Sequence, residues 1–347
     1  MNPLLKDFNT APFSKIRPED YKPAVKKEID IAKKEIQEII SNPKSANFEN
    51  TSEALDFTGQ KLARITSILF NLNAAETSKE IQKIAKDISP WLSEFKNDMM
   101  LNSDLFNRVK SVFDNRTALS LNTEQNMLLE KQYKSFARNG ANLNDTEKEK
   151  LRKIDIQLSK LSLEFGEHVL ADGNAFEMHI TNKSELSGLP ESSKEAARLL
   201  AKNKEKDGWI FTLDYPSYIP FMTYADSREL RKKMAIALGK KGFQPNKNNN
   251  EQIVLQIVTL RHKRARLLGY KTHAHFVLEE RMAESPEKVL SFSEDLLKKA
   301  KPAAEKEFLN LQQYAKKLDG IDQLQKWDSA YYSEKLKKRL FDLDQEI

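Results

Sequence analysis

Apolar residues recur every three or four positions along most of the chain, the spacing that gives a helix one buried face. Val25, Ile29, Ala32, Ile36 and Ile39 predict a helix from about Pro23, behind a Pro-bearing extended arm over 2–22. Leu55, Leu62, Ile65, Leu69 and Leu72 predict a second helix, capped by Thr51 or Ser52, and Ile81, Ile84, Ile88 and Leu92 a third, which Pro90 should kink or divide. Further helices are expected over 103–115 and 123–138. Asp145 is expected to cap the clearest helix, with Leu151, Ile154, Leu158, Leu161 and Phe165 on one stripe and Ile156, Leu163 and Leu170 on another. Two stripes place that helix at the centre of the fold.

The period changes to two only twice. Phe176 to Ile180 and Trp209 to Asp214 alternate as strands do, with a helix opened by Pro190 between them. Tyr215 to Tyr224 is aromatic and interrupted by proline, so it is expected as an irregular crossover. Helix resumes at Asp226, at about 249, at 272, and over 286–318, where Pro302 interrupts. Asp328 is the expected N-cap of a last helix. The chain is therefore expected to be mainly α, a helical multi-lobe array with a small inserted β element. Three consecutive regions follow: 1–172, helical; 173–225, β-containing; and 226–347, helical.

Composition narrows the function classes. With no cysteine, thiolate metal sites, disulfides and cysteine nucleophiles are excluded. No run of 18 apolar residues exists to span a membrane, and the start lacks the pattern of a signal peptide, so a cytoplasmic location is expected. The formal charge of +6 comes from 57 basic and 51 acidic residues spread along the chain, a weak field for nucleic acid.

The densest chemistry lies in Leu255 to Met282, which holds His262, His273 and His275, the basic run Arg261 to Arg266, and Glu279 and Glu280. The pattern reads as two helices broken at Gly269-Tyr270, with Gly269 as C-cap and Thr272 as the next N-cap. His273 and His275 are two apart, so on a helix they diverge by about 200° and cannot share one cation. His275 and Glu279 do share a face, but two ligands fall short of the three or four that zinc requires. No metal is expected on these histidines. A helical binding protein that takes nucleic acid through Arg261 to Arg266 is the alternative reading, opposed by the apolar Leu255, Ile257, Leu260 and Leu267 around the run.

LLGYKTHAHFVLEERMAESPEKV resembles a stretch of the zinc metallopeptidase family of oligopeptidase A, dipeptidyl carboxypeptidase and thimet oligopeptidase. So do NPLL, APFSKIRPEDYKPAV, FENTSEAL, RNGANLND, KLRKIDIQLSKLSLEFGEHVL, LSGLPE, WIFTLDYPSYIPFM and WDSAYYSEKL, in the family's order, from Asn2 to about Leu343. The resemblance implies half of a two-lobed, mostly helical shell around a channel that admits short unfolded peptides. It also implies one zinc, held by the histidines of HExxH and a later glutamate. None of His168, His179, His262, His273 or His275 begins HExxH. The resemblance thus implies the N-terminal half of a longer enzyme that cleaves internally or removes C-terminal dipeptides. Its catalytic C-terminal region is missing, so this chain alone is expected to be inactive and to bind no zinc. Tyr218, Phe221, Arg281, Trp327 and Tyr331 are the candidate channel-lining residues. Helix faces left without the missing lobe are expected to expose apolar surface at 215–224 and 327–340.

Overall fold

The computed structural model describes residues 2–343. Helices dominate it: α1 (Pro18–Ile40), α2 (Ala54–Phe57), α3 (Gln60–Ala75), α4 (Lys79–Met100), α5 (Ser103–Asp114), α6 (Thr123–Arg138) and α7 (Asp145–Ala175). After strand β1 (Met178–Ile180) come α8 (Glu191–Asn203), β2 (Trp209–Phe211), α9 (Tyr215–Tyr224), α10 (Arg228–Gly239), α11 (Glu251–Leu267) and α12 (His273–Leu278). The last two are α13 (Pro286–Asp319) and α14 (Ser329–Phe341). β1 and β2 form a two-stranded antiparallel pair, with Met178 opposite Phe211 and Ile180 opposite Trp209. The expected mainly α architecture with one small β element is what the chain adopts.

Two compact units are formed, each from separated stretches. One takes the chain up to Gly166 together with Ile253–Val277; the other takes Glu167–Gln252 and the chain from Leu278 onward. The expected regions 1–172, 173–225 and 226–347 were consecutive, whereas Ile253–Val277 packs with the first 166 residues. Helical periodicity identifies a face to be buried but not the segment that buries it.

In the first unit α1 lies on α3 and α4. Tyr21, Val25 and Ile29 meet Leu62, Ile65 and Leu69 of α3 and Ile81, Ile84 and Ile88 of α4. A second cluster joins Ile36 and Ile39 to Leu105, Phe106, Val109 and Phe136. Each such fully buried aliphatic side chain stabilises the fold by about 1.5–3 kcal/mol. The core of the second unit gathers Met178, Ile180, Phe211, Phe221, Met222 and Met234.

Several local expectations are corrected. α1 starts at Pro18, not Pro23, because Asp20 accepts from the Arg17 amide and closes the first turn. The arm before it contains two short 3-10 turns, at Pro3–Leu5 and Phe13–Lys15. Thr51 and Ser52 do not cap; they lie buried in the turn Phe48–Glu53, and α3 begins after Gly59. Asn144, not Asp145, caps α7: its carboxamide accepts from the Glu147 amide at 3.0 Å and Glu147 reaches back to its N–H. Along that helix Leu151 is enclosed and Phe165 exposed. Pro90 and Pro302 interrupt neither α4 nor α13.

Residues 215–224 are helical, not irregular. Pro216 falls in the first turn, where a missing N–H costs nothing. Pro220, inside α9, forgoes one hydrogen bond, and the burial of Phe221 and Met222 offsets it. Exposed apolar surface on α9 is confined to Tyr215 and Ile219, and near the end of α14 to Leu340 and Phe341. A longer exposed stripe, absent from the expectation, runs along α13 through Leu290, Phe292, Leu296, Leu297 and Leu309.

Candidate functional site

Three of the motifs that carry the family resemblance, LSGLPE, WIFTLDYPSYIPFM and WDSAYYSEKL, lie in the second unit, which holds a buried ionic knot. Arg231 of α10 is fully enclosed. Its guanidinium donates to the carbonyls of Ala225 (2.7 Å), Asp226 (3.1 Å) and Trp327 (3.1 Å), and to the Asp328 carboxylate at 3.3 Å. Asp328 also accepts from Arg228 (2.8 and 3.0 Å) and from the Gln325 amide (2.9 Å). It stands at the N-cap position of α14, yet makes no side-chain cap, since both oxygens are taken by the arginines and by Gln325. Burial pushes its carboxyl up. The Arg228 and Gln325 hydrogen bonds and the arginine charges outweigh that and hold it below the usual carboxylate range.

The five candidate channel residues fall as follows. Tyr331 is buried; its hydroxyl donates to Asp226 at 2.7 Å, and the Arg231 guanidinium stacks on its ring at 3.9 Å. Burial, then the Asp226 bond, drives its phenol well above the ordinary range. Phe221 is fully enclosed, edge-on to Phe211 at 4.8 Å, a packing role. Tyr218 is half-buried against the same core, and burial raises its phenol. Trp327 packs there too, with Lys232 over its ring and a buried indole N–H without a partner. Arg281 is exposed, and its amide closes the turn after α12 by donating to Leu278. The structure thus gathers Tyr218, Phe221 and Trp327 around one core, while Tyr331 belongs to a neighbouring cluster with Ala315, Leu324 and Tyr332, and Arg281 to neither.

Asp226 completes this region. It accepts from Ser187 (2.7 Å) and Tyr331, with Lys335 at 3.3 Å; burial raises its carboxyl, and these partners more than reverse the effect. The approach needs Gly188: at φ +83 a Cβ would stand 2.2 Å from the Tyr224 carbonyl oxygen and 2.8 Å from Asp226. A cleft of about 520 Å³ opens beside it, lined by Gly188, Tyr224, Glu334 and Lys335 among others. The knot sets the charges of Arg228 and Arg231 on the one Asp328 carboxylate, with the remaining Arg231 donors taken by carbonyls, so it locks α10 to the start of α14 and offers no free acid, base or nucleophile.

The histidine-bearing stretch lies mainly in the first unit. α11 ends as expected: Gly269 takes φ +84, and the Tyr270 amide reaches back to the Ala265 carbonyl. Thr272 caps α12, accepting from the His275 amide, with its hydroxyl 2.8 Å from His275 Nδ1. Arg264 leaves the basic run to pair with Asp155 (2.7 Å) and Asn139 (3.0 Å), and lies over Phe276. Arg261, Lys263 and Arg266 remain exposed. Lys96, Asn97, Asp155, Ser159, Arg261 and His273 are among the residues lining a cleft of about 570 Å³. His273 is held towards its neutral form, first by burial, then by the charges of Arg261 and Arg264.

The cleft as a unit was missed from sequence, although it left a signal. Ser89, Ser93, Lys96 and Asn97 of α4 share one helical face, as do Asp155, Leu158, Ser159 and Ser162 of α7. Small polar residues at helical spacing mark a face turned towards something other than a dry core.

Zinc is not accommodated by this arrangement. Among the described residues, no three His, Asp or Glu side chains converge to hold a metal ion. His275 is engaged by Thr272, and His273 faces two arginines, a poor setting for a cation. Among the described residues no helix is long and apolar enough to cross a membrane.

The family model of Peptidase family M3 matches residues 221–347. Similarity to individual proteins runs further. Oligopeptidase A of Salmonella typhimurium is 34% identical over 349 aligned positions, covering 99% of this chain and 51% of that protein. Dipeptidyl carboxypeptidase of Escherichia coli is 30% identical, again over 99% of this chain and 51% of the relative. The organellar oligopeptidase A of Arabidopsis thaliana is 28% identical over 99% of this chain and 44% of its own length. The chain spans about half the length of the curated relatives it matches. The buried Asp328, Tyr331 and Tyr332, and Phe221 and Met222, all fall inside the family-matched segment. The chain thus resembles the N-terminal half of the oligopeptidase A and dipeptidyl carboxypeptidase relatives, and its segment 221–347 matches peptidase family M3.

Proposed function

We propose that this chain is the N-terminal part of a zinc metallo-oligopeptidase that hydrolyses short peptides in the cytoplasm, in the manner of oligopeptidase A or of a peptidyl-dipeptidase. The observation that supports it is the 34% identity to oligopeptidase A sustained over 99% of the chain. The zinc of such an enzyme belongs to the half of the relatives that this chain does not span. The residues described here do not fit a zinc centre, and no step of hydrolysis is assigned to them. Their part is to form wall and framework: α10 and the start of α14, locked through Arg231 and Asp328, fix a rigid edge on which a catalytic half is mounted.

A chimera tests this reading. The matched half of Escherichia coli oligopeptidase A is replaced by this chain, and a quenched-fluorescence peptide is the substrate. The expected result is chelator-sensitive hydrolysis by the chimera and none by the 347-residue chain with added zinc. Turnover by the chain alone, or a folded, zinc-loaded chimera without turnover, would overturn it.

A further inference from the structure

We propose that the cleft between α4, α7 and α11 in the first unit is a binding site for the carboxylate of a short peptide with an apolar C-terminal side chain. The cleft has three properties that a packing defect lacks.

First, it holds buried polar groups with nothing to bond. Asn97 is 5% exposed and its carboxamide nitrogen is buried without a partner. His273 Nδ1 is likewise buried and partnerless. A buried donor left unmade costs about 1–3 kcal/mol, so such groups persist where a ligand completes them. Second, the charge around them is positive. Lys96, Arg261 and Arg264 face Asp155 alone, and Asp155 is already paired with Arg264. Lys96 and Arg261 therefore leave an excess of two positive charges at the opening. Third, the other walls are apolar and aromatic, from Phe70, Leu92, Leu158 and Phe276. An orphaned donor on Asn97, an unpartnered imidazole nitrogen, two cations and an apolar wall match an amphipathic anion. At about 570 Å³ the space is of the size that holds a small organic ligand.

Inorganic phosphate would satisfy the cations and leave the apolar walls wet, and a neutral apolar molecule would leave the cations unused. A peptide end satisfies both. One carboxylate oxygen is placed to accept from Asn97, the cations flank the charge, and the side chain lies on Phe70 and Leu158. The choice of a peptide as carrier rests on the peptidase reading; the anion site itself does not.

Isothermal titration of the 347-residue chain with N-acetyl-Leu-Phe is the test, beside its C-terminal amide and beside inorganic phosphate. The acid is expected to bind at least about tenfold more tightly than the amide, the difference of one charge-assisted hydrogen bond. Lys96→Met with Arg261→Met should abolish that preference, and Lys96→Arg with Arg261→Lys should restore it. Both side chains are exposed at their ends, so an unchanged circular dichroism spectrum and melting curve certify the fold. Asn97→Ala, read in the same way, should weaken the acid more than the amide, since the same N–H bonds a charged oxygen in one and a neutral carbonyl in the other. Equal binding of acid and amide, or a preference that survives loss of both cations, overturns the site. Phosphate binding tighter than the acid would overturn the peptide and keep only an anion site. A chain that discriminates acid from amide while the chimera fails to hydrolyse would keep this site and remove the peptidase reading.

Discussion

Helices α1 and α13 have the same design and different fates. Both are long, both carry a proline within the helix, and both repeat apolar residues on one stripe. α1 buries Tyr21, Ala24, Val25, Ile29, Ala32, Ile36 and Ile39 beneath neighbouring helices. α13 leaves Phe292 70% and Leu297 60% exposed, and buries only Ala315, near its end, where Tyr314 and Leu311 meet Tyr331 and Tyr332. A stripe of apolar residues states that a face has to be covered. It says nothing about whether the cover lies in the same chain. For α1 the cover is α3 and α4; for the first two-thirds of α13 it is not among the described residues.

Substitutions separate the two helices, and the largest effect is expected on α1. Val25→Asp puts a carboxylate where exposure is nil and should cost more than about 4 kcal/mol in urea unfolding. Retained stability there would mean that the α1 stripe is not the core.

The anchored end of α13 comes next. Asp328→Asn removes the charge that the fully buried Arg231 needs, and a broken buried pair costs about 3–5 kcal/mol. The pH dependence has a definite sign. The Asp328 carboxyl is depressed in the folded state, so its contribution is fully present above the unfolded carboxylate value of about 4. It is lost as pH falls through the folded value. Acid unfolding of the parent should therefore be steeper than that of the Asn variant, and parallel acid curves would show that the knot carries no linkage.

A smaller effect distinguishes the two candidate caps of α7. Asn144→Ala should cost about 1 kcal/mol and Asp145→Ala clearly less, as read by thermal melting. The reverse order would restore Asp145 as the cap. The smallest change in stability belongs to α13 itself. Leu290→Glu with Leu297→Glu should shift unfolding by no more than about 0.5 kcal/mol, while lowering dye binding and self-association on size-exclusion chromatography. A loss comparable with that of Val25→Asp would show the stripe to be covered in solution, and the contrast between the helices would fail.

Much of the fold was legible because the signals were local. Asn122 caps α6 through the Gln125 pair, and Pro190 opens α8, where the spacing places both helices. What escaped was set by context. Pro216 and Pro220 read as breakers, yet one falls in a first turn and the burial of Phe221 and Met222 holds the other in place. Arg264 read as part of a basic run, yet its partner Asp155 is 109 positions away. The cleft escaped for the same reason. Ser93, Lys96 and Asn97 look like an ordinary solvated face until α7 and α11 close around them. Family resemblance supplied the proposed function where pattern alone gave only helices.

The interleaving of the two units sets an order for synthesis. The first unit is not complete at Gly166, because it also needs Ile253–Val277. A nascent chain emerging N-terminus first must therefore hold α4 and α7 open, with Asp155 unpaired, while the next 86 residues, Glu167–Gln252, are translated. During that interval the Leu158 side of α7 and the small polar face of α4 are bare. A ribosome stalled just after Gln252 would display a half-built unit to chaperones, and one stalled beyond Val277 with enough residues to clear the exit tunnel would not.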